Sequence, residues 1–261
     1  MEREDGANCS SEFSELAVAL PGKRFIPPWV GNAGGGLNRV PVLREGVVQR
    51  NAIGFVLAGG RSSRMGMDKS LVPLNGRPLA ALAVEILQSA GLHVSIAGGQ
   101  PALASLAPLV EDHHPGLGPL SGICAALAST SARLAVFLPV DLPLLPACLV
   151  VYLLHNALVA GNAVTVPSIN GFAQTFPAVL DRAVLPTLEK ELQSGRRGCF
   201  SAFRAAAESL CQPIGIVPVE SLVQCGQISH PHGLPATRWF LNVNTAEDLR
   251  RSEGHSQPLI A

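Results

Sequence analysis

From residue 52 onward the chain alternates short apolar runs with helical patterns, and this alternation restricts the fold more than any other feature. Continuous apolar runs, typical of strands buried on both faces, occur at 52–58 and 134–138. Helical patterns follow them, with proline near the start or glycine just after the end. Repeated β–α units of this kind predict an α/β fold, with a Rossmann-like, mostly parallel central sheet and helices on both faces. The predicted strands are 52–58, 92–97, 134–138, 163–166, 214–219 and 239–243, and the predicted helices are 78–90, 101–107, 119–129, 146–160, 181–193, 199–210 and one that begins near residue 245.

The first fifty residues lack this alternation. They contain a proline pair and a run of three glycines, and they show no sustained period of 3.6 or 2 residues. We therefore predict that residues 1–50 form an irregular N-terminal extension and that residues 51–261 form one domain. Within that domain the stretch 220–237 is polar and contains proline and glycine, so we predict a long loop there.

Charge and hydropathy exclude several classes of protein. Lys and Arg number 19, as do Asp and Glu, so the chain lacks the basic excess of proteins that track a nucleic-acid backbone. The most apolar stretch, 134–160, is interrupted by Asp141 and by prolines, and no window supplies the roughly 20 apolar residues of a membrane-spanning helix. The N-terminus is acidic and has no apolar run of the kind found in secretory signals. We therefore expect a cytoplasmic protein with no nucleic-acid or membrane partner.

The loop after the first predicted strand carries the strongest sign of a ligand, and the segment reads LAGGRSSRMGMDKS from residue 57. Gly59 and Gly60 permit positive φ and a close backbone approach to a ligand, and their N–H groups are able to form a nest for phosphate oxygens. Arg61, Arg64 and Lys69 add positive charge to the same loop. This combination suits a triphosphate.

Two common phosphate-binding motifs do not describe this loop. The GxxxxGK[ST] spacing of a P-loop is absent, and so is the GxGxxG of dinucleotide-binding enzymes, which argues against a nicotinamide-dependent dehydrogenase. The segment 116–122 approaches GxGxxG but differs by one residue. Without further signals, the alternative to a phosphate site is a glycine-rich turn with solvated charges.

Further segments give the loop a family context. The sequence LAGGRSSRMG, followed by Asp68-Lys69, resembles the signature of nucleoside-triphosphate transferases, and the chain is most similar to the molybdenum cofactor guanylyltransferases among them. The resemblance covers about residues 52–252. Three more segments match in order and spacing: the acidic pair Glu111-Asp112 with GPLSG at 118–122, PVDLP at 139–143, and NVNTAEDL at 242–249. The chain departs from the usual pattern at Val140 and at 174–178, and the stretch 220–237 is longer than usual.

The resemblance implies a fold like that of nucleotide-diphospho-sugar transferases, with 51–261 as the nucleotidyltransferase domain. The implied reaction transfers GMP from GTP to the terminal phosphate of molybdenum-molybdopterin, giving the guanine dinucleotide cofactor and pyrophosphate. Because the attacking phosphate is ionised at neutral pH, this reaction needs no general base. The protein must instead neutralise charge and align two anions.

The resemblance also implies roles for individual residues. Asp141, between two prolines, is the expected Mg²⁺ ligand, because Mg²⁺ takes one or two carboxylates beside phosphates and waters. Lys69 and Arg64 are expected to stabilise the pyrophosphate leaving group. The expected nucleotide site comprises Leu57, Ala58, Gly59, Gly60, Lys69, Asp112 and Asp141, and the expected acceptor side comprises Asn242, Asn244 and Arg197.

Each of these residues also has a simpler interpretation. Asp141 and Asp112 are residue types that cap helices or stabilise turns, and the two asparagines fit a turn or a strand edge. Arg197, beside Arg196 and after Gly195, fits a solvated helix C-terminus.

The function has alternatives too. A cytidylyltransferase, a relative with another phosphorylated acceptor, or a nucleotide-binding protein without catalysis fits the same motifs. The expected partners are GTP and molybdopterin, with transient contact to cofactor-insertion proteins or apo-molybdoenzymes.

Overall fold

The computed structural model describes residues 51–59, 68–112, 114 and 116–253, and the predicted N-terminal extension lies outside them. Within this part of the chain, the predicted strand–helix alternation forms an eight-stranded sheet and a separate two-stranded hairpin. The strands are β1 (Ala52–Leu57), β2 (Pro73–Leu74), β3 (Arg77–Pro78), β4 (His93–Ala97), β5 (Leu109–Val110), β6 (Leu134–Pro139), β7 (Val164–Ile169), β8 (Phe172–Ala173), β9 (Ala178–Asp181) and β10 (Ile214–Pro218).

The sheet is mostly parallel, as predicted. Its order is β10-β7-β9-β6-β1-β4-β5, with β8 paired to β7, and β2 pairs with β3 in the hairpin. The β1–β4, β1–β6, β4–β5 and β7–β10 pairs are parallel. Strand β9 is antiparallel to both of its neighbours. Because β1 and β6 are adjacent and parallel, their carboxyl ends lie side by side, where α/β sheets bind ligands.

Helices cover both faces of the sheet, which confirms the predicted α/β architecture. The α-helices are α1 (Leu79–Ser89), α2 (Pro119–Ala128), α3 (Ala147–Ala160), α4 (Leu185–Gln193), α5 (Cys199–Ser209), α6 (Val219–Gln224), α7 (Ala236–Trp239) and α8 (Ala246–Glu253), and 3₁₀ helices span Lys69–Leu71, Pro101–Ser105 and Arg182–Val184. None of the helices in the described part of the chain is both long and apolar enough to cross a membrane.

The alternation of side chains along the central strands divides the core into two apolar clusters. Val56 and Leu138 face the cluster that contains α1 and α3. Phe55 and Phe137 face the cluster that contains α2, α4 and α5, where their rings stack with centroids 5.5 Å apart. All four side chains are fully buried. Central strands buried on both faces explain why the sequence shows continuous apolar runs there.

Several predictions of secondary structure in the last third of the chain are wrong. Residue 181 ends the strand β9 and does not begin a helix, since the α-helix starts at Leu185 after a 3₁₀ turn. The predicted loop 220–237 contains all of α6 but its first residue, and the first two residues of α7. The predicted strand 239–243 is absent: Trp239 ends α7, and its buried ring donates Nε1–H to the carbonyl oxygen of Leu234 at 2.9 Å. Short apolar runs do not distinguish a strand from a buried helical turn, which explains the error at 239–243.

Candidate active site

A cavity of about 790 Å³ opens at the carboxyl ends of β1 and β6. The register places Leu57 opposite Pro139, and the N–H of Val140 donates to the carbonyl oxygen of Leu57 at 3.3 Å, so the two loops leave the sheet together. The lining residues are Leu57, Ala58, Gly59, Lys69, Pro119, Pro139, Val140, Asp141, Leu142, Gln174, Thr175, Phe176, Arg197, Cys199, Phe240, Asn242 and Asn244. The cavity therefore contains most of the residues that the sequence proposed for the site.

Lys69 joins three distant parts of the chain at this cavity. Its Nζ lies 3.2 Å from Oδ2 of Asp141, which is 72 residues away, and 2.5 Å from Oδ1 of Asn244, which is 175 residues away. The Lys69 side chain is 17% exposed and the Asp141 side chain 28% exposed, so water screens this ion pair only in part. The predicted first loop, metal loop and C-terminal motif thus meet at one ammonium group.

Local hydrogen bonds fix the position of Lys69 on its loop. The preceding residue, Asp68, caps the 3₁₀ helix Lys69–Leu71, and its Oδ1 accepts hydrogen bonds from the N–H and Oγ–H of Ser70 at 2.9 and 2.6 Å. Ser70 is fully buried. Asp68 is therefore a structural carboxylate that holds the turn from which Lys69 extends.

The C-terminal part of the chain holds the loop that carries Asp141. The N–H of Val243 donates to the backbone oxygen of Asp141 at 3.0 Å. His230 Nε2 lies 3.1 Å from the carbonyl oxygen of Leu144, and burial lowers the pKa of this imidazole. The N–H of His232 donates to Nδ1 of His230 at 3.1 Å, so the neutral ring carries its proton on Nε2 and donates it to Leu144.

Gly98 and Gly99 follow β4, and Gly98 packs against Gly59, which begins the loop after β1. This contact was not predicted from the sequence. A Cβ on Gly98, whose φ is +72°, would lie 3.4 Å from the backbone N and Cα of Gly59. A Cβ on Gly99 would lie 2.7 Å from Leu103 Cδ1. A Cβ on Gly59, by contrast, would meet no atom of the described residues within 4 Å, and Gly59 lines the cavity. The Gly-Gly pair after a predicted strand was the signal that could have identified this contact.

Asp112 does not line the cavity. Its Oδ1 accepts hydrogen bonds from the Oγ–H of Ser121, in the first turn of α2, and from the N–H of His114 at 2.9 Å. These contacts fit its interpretation as a turn aspartate, since the N-cap of α2 is Gly118, and its role in nucleotide binding stays a prediction. Gly60 and Arg64, two other predicted site residues, lie outside the described residues.

The adjacent arginines after α4 have different environments. Arg196 forms a two-pronged ion pair with Glu191, with Nε–Oε2 and Nη2–Oε1 distances of 2.5 and 2.7 Å, and this bonding lowers the pKa of the Glu191 carboxyl. Arg197 is exposed and lines the cavity, and it forms no ion pair with another described residue. Arg197 is therefore the arginine available to an anionic ligand.

Several lining residues were not predicted from the sequence, among them Pro119, Phe240 and Cys199. Cys199 is considered for covalent catalysis because a cysteine thiolate is a strong nucleophile. Burial raises the pKa of its thiol to about 11, so the thiol is protonated at neutral pH and is a poor nucleophile. The cavity therefore offers charge and hydrogen bonding, which are the requirements of phosphate chemistry.

The donor set fits one hard cation bound together with phosphates. Asp141 is the only carboxylate among the described residues that line the cavity. No group of three or more His, Cys, Asp and Glu side chains able to hold a metal occurs in the described part of the chain. Such a site lacks enough ligands for a metal bound by protein alone, but one carboxylate beside phosphates and waters is a common arrangement for Mg²⁺.

Solved structures resemble the fold. Molybdopterin-guanine dinucleotide biosynthesis protein A from Archaeoglobus fulgidus superposes with a TM-score of 0.62 at 24% identity, covering 77% of this chain and 96% of that one. The 2-C-methyl-D-erythritol 4-phosphate cytidylyltransferase from Thermus thermophilus superposes with a TM-score of 0.55 at 16% identity, covering 77% and 96%. The sheet and its covering helices are thus those of nucleotidyltransferases.

Sequence comparison identifies the family. A molybdenum cofactor guanylyltransferase from Xanthomonas euvesicatoria pv. vesicatoria is 48% identical over 104 residues, which are 39% of this chain and 53% of the relative. One from Rhizobium meliloti is 32% identical over 207 residues, which are 76% of this chain and 88% of the relative. Residues 54–210 match the family described as the MobA-like NTP transferase domain. The chain therefore belongs to the MobA-like NTP transferase family.

Proposed function

We propose that this protein is a molybdenum cofactor guanylyltransferase, which transfers GMP from GTP to the terminal phosphate of molybdenum-molybdopterin and releases pyrophosphate. The observation that carries the proposal is the meeting of Lys69, Asp141 and Asn244 in one cavity at the carboxyl ends of β1 and β6. Relatives with this activity in their names match most of the chain. The proposal places the reaction in the cytoplasm.

The proposed reaction requires charge neutralisation more than proton transfer. The attacking group is a phosphate that is ionised at neutral pH, so the reaction needs no general base. The protonated thiol of Cys199 in the cavity is consistent with this. Lys69 supplies a fixed positive charge toward the phosphates of GTP, and the open backbone at Gly59 gives these phosphates room to approach. Arg197, an exposed residue of the same cavity lining, is proposed to bind the acceptor phosphate.

Asp141 is the residue that would hold Mg²⁺ in this site. When bound, the ion neutralises phosphate charge and acts as a Lewis acid. The loop around Asp141 presents the carboxylate to the cavity because its backbone is fixed by Val140 on the β1 side and by Val243 on the C-terminal side. Arg64 is proposed to assist Lys69 at the leaving pyrophosphate, and Asp112 to contact the nucleotide.

Substrate pairs test the proposal directly. Pyrophosphate release is measured with Mg²⁺ and each of GTP, CTP, ATP and UTP, with and without molybdenum-loaded molybdopterin. We expect release only with GTP and the pterin together. Release with CTP would make the protein a cytidylyltransferase, and GTP binding without release in any mixture would make it a non-catalytic nucleotide-binding protein. The final product is then offered to an apo-molybdoenzyme to test the proposed transient contact.

Replacing Arg197 by alanine should raise the KM for molybdopterin about tenfold or more while the KM for GTP stays within about twofold. The reason is that a hydrogen bond from a charged donor contributes about 1.5–3 kcal/mol, and a factor of ten corresponds to about 1.4 kcal/mol. Initial rates over a matrix of both substrates measure the two constants.

The neighbouring arginine gives a matched control. Arg196→Ala removes the same charge one residue earlier, but it breaks the ion pair with the buried Glu191, so it should lower the melting temperature and leave the KM for molybdopterin unchanged. Equal KM effects from the two variants would contradict the assignment of Arg197 to the acceptor.

A further inference from the structure

We propose that Asp248 is a positioning residue that acts on Lys69 through Asn244. Asp248 is not among the described residues that line the cavity, so the role proposed for it is indirect. Its carboxylate instead fixes the backbone from which the Asn244 side chain reaches Lys69. The inference rests on the proposed function in one respect, namely that Lys69 acts on the phosphates of GTP.

One oxygen of Asp248 holds the turn before α8. Its Oδ2 accepts hydrogen bonds from the N–H of Asn244 at 3.1 Å and from the N–H and Oγ–H of Thr245 at 2.9 Å each. The N–H of Asp248 donates in return to Oγ1 of Thr245 at 3.1 Å. This reciprocal pair is a capping box, in which the two side chains each satisfy a backbone donor of the other. The additional hydrogen bond from the N–H of Asn244 connects this capping box to a residue that lines the cavity.

The Asn244 side chain is oriented by what it meets. Lys69 has only donors, so the Asn244 atom 2.5 Å from Nζ is the amide oxygen. This oxygen cannot donate to a phosphate, and it is a second acceptor for the ammonium group besides Asp141. The predicted role of Asn244 on the acceptor side therefore becomes, in this proposal, the support of Lys69.

The backbone on both sides of Asn244 is anchored. Before it, Val243 donates to the backbone oxygen of Asp141, and after it Thr245 is held by Asp248. Loss of the Asp248 carboxylate leaves two backbone donors, those of Asn244 and Thr245, without their acceptor and releases one of the two anchors. The amide oxygen of Asn244 is then held less firmly, and its hydrogen bond with the Lys69 ammonium group becomes weaker.

GTP affinity measured in a double-mutant cycle tests this coupling. Binding of GTP with Mg²⁺ is measured by calorimetry, without the acceptor, for Asp248→Ala, Lys69→Ala and the double variant. We expect Asp248→Ala to weaken binding about tenfold in the natural chain and less than twofold when Lys69 is already alanine. A purely structural role predicts the same loss in both backgrounds and would overturn the proposal.

Two further variants distinguish the loss of positioning from the loss of a negative charge and from a failure to fold. Glu247→Ala removes a negative charge from the same first turn of α8, so it should change GTP affinity less than twofold. Asp248→Asn keeps an acceptor oxygen and should lose only part of the affinity. Equal effects of Asp248→Asn and Glu247→Ala would assign the effect to helix charge and contradict positioning. If the alanine variant does not fold, Asp248→Asn replaces it in the cycle.

The same measurements distinguish failure of this inference from failure of the proposed function. If no acceptor gives pyrophosphate release but the cycle shows coupling, the positioning role stands and the proposed reaction is wrong. If release occurs with GTP and the pterin but the cycle is additive, the reaction stands and Asp248 is only a helix cap.

Discussion

Asp141→Ala should lower kcat for pyrophosphate release by about a thousandfold or more. Removing one preorganised electrostatic group from a phosphoryl or acyl transfer site costs about 10²–10³ in kcat, and a group that also holds a metal contributes several kcal/mol more. Asp141 is the only carboxylate lining the cavity within the described residues, so no neighbour there takes over its role. The measurement is kcat at saturating GTP and molybdopterin over a range of Mg²⁺ concentrations.

A second aspartate provides the control for this substitution. Asp181 ends β9, accepts the N–H of Ala183 at 2.9 Å, and pairs with Arg133 at 2.9 Å, but it is absent from the cavity lining. Asp181→Asn should therefore lower the melting temperature and leave kcat unchanged. An Asp141→Ala enzyme that keeps a third or more of the natural kcat would remove Asp141 from the metal site.

The central part of the fold could be predicted from the sequence because its signals are local and strong. The apolar runs of β1 and β6 are buried between layers of helices, so almost every position in them is apolar. Strand β9 was missed because it is four residues long and antiparallel, and its sequence continues into a helix. Helix α6 was missed because six residues with buried Val219 and Leu222 do not complete a recognisable helical period.

The site could be predicted only in part, for a topological reason. Lys69 and Asp141 follow adjacent parallel strands, and the rule that ligands bind at the carboxyl ends of strands predicts that the two residues meet. Asn244 follows no strand, and a motif resemblance alone indicated its place near the site. The Gly98-Gly99 pair after a strand signals a close backbone approach, but only the fold determines that the partner is Gly59. The spacing of Thr245 and Asp248 predicts a capping box, but not that the same carboxylate holds the backbone of Asn244 beside Lys69.

Lys69→Ala should lower kcat/KM for GTP by about 10²–10³. The lost group is a largely buried positive charge that is fixed on two sides, and a charge in such a place stabilises developing negative charge more strongly than one in water. Initial rates at low GTP concentration measure the effect. Lys190→Ala, which removes an exposed lysine of α4, is the matched control and should leave the rate unchanged.

Lys69→Arg separates charge from shape in the same assay. Arginine restores the positive charge, but its planar guanidinium is wider than an ammonium group and does not fit equally between Asp141 and Asn244, so we expect only a partial return of activity. Because Lys69 and Asp141 are in contact, the alanine variants of the two should also be strongly non-additive. Full activity in Lys69→Ala, or additive losses in the double variant, would show that the two residues do not act as one unit on the phosphates.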